Sequence, residues 1–281
     1  MSRVYRALEK AEGTQARKTE ESSIIRIFEE KRVPSNAEPA PKGLEERIPK
    51  IDFSPGDGAP LIIPPLHSYS AEQFRKVKTH ILHQSPSPRS ILVTSALPKE
   101  GKSTVAFNLA LAFAQEKNFK TILIDADLRN PTLSPKLCPK GVQAGLSDYL
   151  NSEKLVEEVL FKFQTPNLKF MPAGTPSPKG PELNGSSRMK DLLGELLEKF
   201  GKDTYIFMDA PPILVTSEPV IISKMVDGII LVVMSGMAPK KTIRKAIDSI
   251  GREKIVGVIF NQINLKPSKQ YSQFYGRYFR E

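Results

Sequence analysis

The chain has 281 residues, a formal net charge of +10 and a single cysteine. One cysteine excludes an internal disulfide framework, and the lack of a run of about eighteen apolar residues or of a signal-peptide pattern predicts a cytoplasmic chain. The basic residues are spread along the sequence with no nucleic-acid motif beside them, so no nucleic-acid partner is expected.

In chain order, Val4, Leu8 and Ala11 give residues 1–12 a short amphipathic pattern, a length better suited to partner docking than to a membrane foot. Residues 13–66 are rich in Pro, Glu, Lys and Ser, and prolines from Pro34 to Pro65 break any long helix, so a disordered linker is predicted. A helix follows from Ser70 to His83. Spacing of three sets Glu72, Arg75 and Lys78 along one side, while Phe74, Val77 and Ile81 can face a core.

Ser90 to Ser95 reads as a buried strand, Ala96 to Gly101 as a tight loop, and Lys102 as the start of a helix. Gly101-Lys102-Ser103-Thr104 between a strand and a helix is a P-loop, although Ala96 replaces its first glycine and Lys99 sits inside it. Loop N–H groups and a helix N-terminus suit phosphates. Pro98, Lys99, Glu100 and Gly101 would border the nucleotide, Lys102 would reach the β and γ phosphates, Ser103 would ligate Mg2+, and Thr104 would hold the α phosphate.

About twenty residues on, an apolar strand ends in Asp125-Ala126-Asp127-Leu128-Arg129. Both aspartates can face the phosphates, ligating the metal or taking a proton, and Arg129 can pair with phosphate or carboxylate. A third strand, Tyr205 to Met208, ends in Asp209 before Pro211-Pro212, the pattern of a metal-holding Walker B aspartate. Strands near 91, 121, 167, 204, 228 and 255 alternate with helices near 103–117, 181–200, 217–225 and 239–251. This predicts an α/β P-loop NTPase fold, a mostly parallel wound sheet flanked by helices, over residues 67–264.

Asn261, closing a strand from Ile255 to Ile263, reads on its own as a turn residue, and similarity to other P-loop ATPases implies that it stands where they bind adenine. Residues 265–281 form a tyrosine-containing tail without apolar periodicity, which reads as mobile. Cys138 is expected to be partly buried, and His67, His80 and His83 to be structural or solvated rather than metal ligands.

The three motifs together resemble the Walker A, Walker A′ and Walker B motifs of the bacterial tyrosine autokinases of capsule and exopolysaccharide synthesis, over residues 68–281. The opening Ser2-Arg3-Val4-Tyr5-Arg6-Ala7-Leu8 is similar to that of autokinases from exosortase-linked loci. The resemblance implies transfer of phosphate from ATP with Mg2+ to tyrosine, with Lys102, Asp125, Asp127 and Asp209 catalytic. It places the metal on Ser103, Asp125 and Asp209. Tyr271, Tyr275 and Tyr278 match the family's phosphoacceptor cluster, modified in trans within a ring-like homo-oligomer. The family's Glu-x-x-Arg-x-x-Arg interface helix matches Glu72, Arg75 and Lys78, with lysine in the last arginine's place.

A separate membrane-spanning polysaccharide co-polymerase as activator, recruitment to the inner face of the plasma membrane and a phosphotyrosine phosphatase are implied as well. The alternative is an ATP-operated assembly switch of the partition or septum-positioning type without kinase activity. Those ATPases usually carry a signature lysine five residues before the P-loop lysine, where this chain has Leu97.

Overall fold

The computed structural model describes residues 48–50, 69–138, 144–163, 165 and 167–262. The expected helix at 1–12, the tail at 265–281 with Tyr271, Tyr275 and Tyr278, and most of the linker at 13–66 lie outside the described residues.

Helix α1 (Tyr69–Leu82) leads to strand β1 (Ser90–Ser95) and helix α2 (Lys102–Ala114). Strand β2 (Lys120–Asp125) is followed by three short helices, α3 (Ser134–Leu137), α4 (Leu146–Leu150) and α5 (Val156–Val159). Then come β3 (Phe161–Lys162), β4 (Leu168–Met171), α6 (Gly180–Asn184), α7 (Ser187–Phe200) and β5 (Thr204–Asp209). Helix α8 (Glu218–Ser223), β6 (Gly228–Met234), α9 (Lys240–Ile250) and β7 (Ile255–Asn261) complete the fold.

The strands form one sheet in the order β3-β4-β2-β5-β1-β6-β7, parallel throughout except for the β3–β4 pair. All six residues of β1 and all six of β5 are buried, because helices cover both faces of a parallel sheet and permit continuous apolar runs. Helix α2 is buried around almost its whole circumference. Its Phe113 ring meets Tyr205 at 4.8 Å and Phe207 at 5.0 Å, seating the P-loop helix on β5. Helix α9 is more sharply two-sided, with Ile243, Ala246, Ile247 and Ile250 inward and a basic face outward.

Register sets the chemistry. Asp125 pairs with Asp209 across β2 and β5, and Asp209 also pairs with Val93 just before the P-loop. Neighbouring strands lie about 4.8 Å apart, so the Walker A′ and Walker B carboxylates share one sheet edge with the phosphate loop.

The structure departs from the sequence-based expectation in four places. The helix expected over 181–200 is two, because Ser186 ends the first through a bond to the Leu183 carbonyl and caps the second by accepting from the Met189 N–H. Strand β3 and the helices between Ser134 and Val159 were not expected; segments this short carry too few periods to register. The last strand stops at Asn261, where Gln262 turns to positive φ, rather than at Ile263. Part of the predicted linker also packs: Ile48 is buried, and the Pro49 carbonyl accepts from the Lys162 N–H, extending the β3 edge.

Candidate active site

The P-loop turns through two left-handed residues, Lys99 at φ +67° and Gly101 at φ +91°. A Cβ at Gly101 would fall 2.0 Å from Asn261 Nδ2, so close approach as well as backbone conformation demands glycine. Pro98 and Lys99 are exposed on the loop's outer side, and Thr104 is half-buried one turn into α2.

The Glu100 carboxylate has a role that the sequence analysis did not assign: it is fully buried, accepting from the Leu97 N–H at 2.7 Å and from the Met234 N–H at 3.3 Å. The side chain fastens the loop to the end of β6, leaving its backbone to serve the phosphates. Asn261 does related work, donating Nδ2 to the Glu100 carbonyl at 3.0 Å. Thus the amide expected beside adenine is engaged with the loop itself.

Behind the loop lies an acidic cluster. Lys102 Nζ is 3.5 Å from Asp209 Oδ1 and 4.0 Å from Asp127 Oδ2. Asp125 has one oxygen bonded to Ser134, from the backbone N–H at 2.8 Å and the hydroxyl at 2.6 Å. Its other oxygen accepts from the Asp127 N–H at 3.3 Å. Complete burial, reinforced by the Asp209 charge, holds Asp125 up at about 7. Burial also lifts Asp127, with Asp209 and Glu218 pushing the same way and Lys102 opposing them. Asp127 accepts from the Asn130 N–H at 3.0 Å through one oxygen and turns the other toward Lys102, whereas Asp125 is fully buried with hydrogen bonds on both, so Asp127 is the better placed to meet a substrate.

Arg129 Nε pairs with Glu218 Oε1 at 3.5 Å; the arginine side chain is half-exposed and the glutamate is 1% exposed. Against four buried carboxylates, Asp125, Asp127, Asp209 and Glu218, stand Lys102 and this half-exposed Arg129. Even with Asp125 holding its proton, three carboxylates face two cations, one of them half-exposed, a balance that favours a further positive charge.

The residues present fit Mg2+. Asp209 Oδ2 is buried without a hydrogen-bond partner, and the Ser103 hydroxyl lies in the same cluster, 3.4 Å from Lys102 Nζ. Among the described residues no three acidic, histidine or cysteine side chains form a metal cage. Mg2+ keeps waters and phosphate oxygens and takes few protein ligands. Asp209 and Ser103 would hold it; Asp125, expected as a third ligand, is committed to Ser134.

Three polar residues escaped the sequence analysis. Thr132 Oγ1 lies 3.0 Å from Ser103 Oγ, Ser134 holds Asp125, and Glu218 holds Arg129. Thr132 and Ser134 could have been suspected from their nearness to Arg129 in sequence. Glu218 carries no local signal. Cys138 is buried as expected, its thiol pushed up to about 12 chiefly by burial. Among the described residues, His80 meets the Val256 carbonyl and Gln84, and His83 meets the Thr79 carbonyl.

The predicted interface row is split. Glu72 and Arg75 pair with each other at 2.7 Å on the surface of α1. Lys78 instead turns inward, buried, and pairs with Glu116 just beyond α2. Three residues advance about 300° on a helix, so the third position slips off the row toward Ile81 and the core.

A family model described as an AAA domain matches residues 99–253. Tyrosine-protein kinase YwqD of Bacillus subtilis (strain 168) is 35% identical over 213 residues, 74% of this chain and 87% of that one. The chain belongs to the bacterial tyrosine-protein kinases. In agreement, the crystal structure of the chimerical protein CapA2B2 superposes with a TM-score of 0.67 at 27% identity, covering 79% of this kinase and 98% of that chain. The succinoglycan biosynthesis transport protein ExoP of Rhizobium meliloti (strain 1021) is 30% identical over 238 residues, 79% of this kinase but 30% of ExoP. Leu97, in the position of the partition ATPases' signature lysine, offers no cation, which separates the kinase from that branch of the fold.

Proposed function

We propose that this kinase transfers the γ-phosphoryl group of ATP to Tyr271, Tyr275 and Tyr278 of a neighbouring copy in a ring-like assembly, and so controls capsular or exopolysaccharide polymerisation or export. The observation that carries this reading is Lys102 standing between Asp209 and Asp127 at the sheet edge. Lys102 is drawn from these carboxylates to the β and γ phosphates, while the loop amides around Gly101 fix the phosphate chain. Asp209 and Ser103 would hold Mg2+, which would supply neutralisation of the phosphate charge. Asp127, released from Lys102, takes the phenolic proton as the tyrosine oxygen bonds to phosphorus and the bond to the bridging β–γ oxygen breaks, freeing ADP. Asp125, tied to Ser134, keeps the Asp127 segment in place.

The kinase is placed in the cytoplasm at the inner face of the membrane through a separate membrane-spanning co-polymerase. Among the described residues no helix is long and apolar enough to cross a membrane. A phosphotyrosine phosphatase would reset the tail. Each phosphotyrosine adds roughly −1.5 to −2 charge, so modifying three reverses the tail's basic character and would drive disassembly.

The test is intact mass and tail-peptide mapping after incubation of the full chain with Mg2+ and ATP, beside Lys102→Met, each with a candidate activator fragment. Phosphate on the tail tyrosines of the wild type alone is expected. ATP binding with no phosphotyrosine, even with activator, would overturn the reading.

A further inference from the structure

Arg129, two residues beyond Asp127, lines an open groove of about 490 Å³ with Pro176, Ser177 and Pro178. The Ser177 N–H donates to the Leu128 carbonyl at 2.9 Å, so the proline-bearing loop is strapped along the segment that carries Asp127 and Arg129. Behind the groove lies Glu218, 1% exposed, with Oε1 on Arg129 Nε and Oε2 buried without a hydrogen-bond partner. A carboxylate is left buried at such cost when it does something a neutral residue cannot. Here it fixes the guanidinium by its inner nitrogen. Because Glu218 meets the inner nitrogen, the terminal nitrogens of this half-exposed arginine remain available to a ligand in the groove it lines. Gly180 makes the arrangement possible: a Cβ there would fall 2.9 Å from Glu218 Oε1 and 3.2 Å from Arg129 Cγ.

We infer that this groove is the acceptor-tyrosine subsite, with Arg129 contacting the acceptor and Glu218 acting as the positioning residue that holds Arg129. Its walls suit a phenol. Two proline rings offer flat apolar faces to an aromatic ring, and a guanidinium stacks on, or donates to, an electron-rich one. The ring's hydroxyl then lies toward Asp127, the group assigned to take its proton. Water has no ring to hold, so the subsite favours tyrosine over hydrolysis of ATP. This inference rests on the kinase reading above.

The experiment uses the full chain with its own Tyr271, Tyr275 and Tyr278 changed to Phe, and a synthetic Lys269-to-Glu281 peptide as acceptor. Glu218→Gln, Arg129→Lys and the double variant are compared for acceptor KM, kcat, ATP affinity and phosphotyrosine formed per ATP consumed. Each single change should raise acceptor KM about tenfold, the loss expected for one charge-assisted contact. ATP affinity should stay within about twofold and the double should be no worse than the worse single, since Glu218 acts through Arg129. Phosphotyrosine per ATP should fall. Unchanged acceptor KM in variants that still turn over, equal loss of ATP affinity, or additive effects would overturn the subsite alone. An unsubstituted parent that forms no phosphotyrosine on any acceptor with activator present would overturn the kinase reading, and the subsite with it. Thermal unfolding of each variant separates loss of fold, and Pro178→Gly, which leaves both charges in place, should raise acceptor KM by itself.

Discussion

Glu100 offers a direct test of how the P-loop is held. Its carboxylate is fully buried, with one oxygen 2.7 Å from the Leu97 nitrogen and the other 3.3 Å from the Met234 nitrogen. Hydrogen bonds to a charged group contribute about 1.5–3 kcal/mol each, and an orphaned buried N–H costs about 1–3 kcal/mol. The second bond is long, and Leu97 and Met234 are half-buried, so water recovers part of the loss. Glu100→Ala should therefore destabilise the nucleotide-free protein by about 2–4 kcal/mol. Glu100→Gln keeps the shape but turns one acceptor into an NH2 group facing an N–H, and should cost about half as much. Urea unfolding at unchanged m-value measures both. ATP affinity should fall about tenfold or more in the alanine variant, because the loop amides lose the brace that sets their direction. A Glu100→Ala protein within about 0.5 kcal/mol of wild type, binding ATP normally, would refute the reasoning.

Gly101→Ala should abolish ATP binding while Asn261→Gly restores part of it, because one of its two penalties is the collision with the Asn261 amide; isothermal titration of ATP reads both. Lys78→Ala should lower stability by about 0.5–2 kcal/mol through loss of its stem packing and of its contact with the exposed Glu116, whereas Arg75→Ala should change assembly state, read by light scattering, with little effect on melting. Asp125 keeps its proton in the folded state up to about 7, while the unfolded chain releases it near an ordinary 3.8. The nucleotide-free protein therefore loses stability from this group as pH rises between those values, with no further loss above the higher; Asp125→Asn should flatten that slope in denaturation series, and an unchanged slope would remove Asp125 as its source.

The chain's local chemistry determined much of this protein. Six apolar runs alternating with helical periods specified a parallel sheet, since each buried strand needs a helix to return it to the same edge. Lys102, Asp125, Asp127 and Asp209 declared themselves because each follows a strand or the P-loop directly, and strand ends of a parallel sheet collect on one side. Tertiary structure decided what each group does there. Register brought Asp125 against Asp209, and Ser134 came to hold one Asp125 oxygen. The Glu100 carboxylate reached the end of β6, and Lys78 reached Glu116. Glu218 reached Arg129 from a helix far along the chain. Such pairings follow from burial and from the demand that every buried donor and charge find a partner. Most of those partners are met across the folded chain rather than along it, and two of the atoms left without one, Asp209 Oδ2 and Glu218 Oε2, lie at the site.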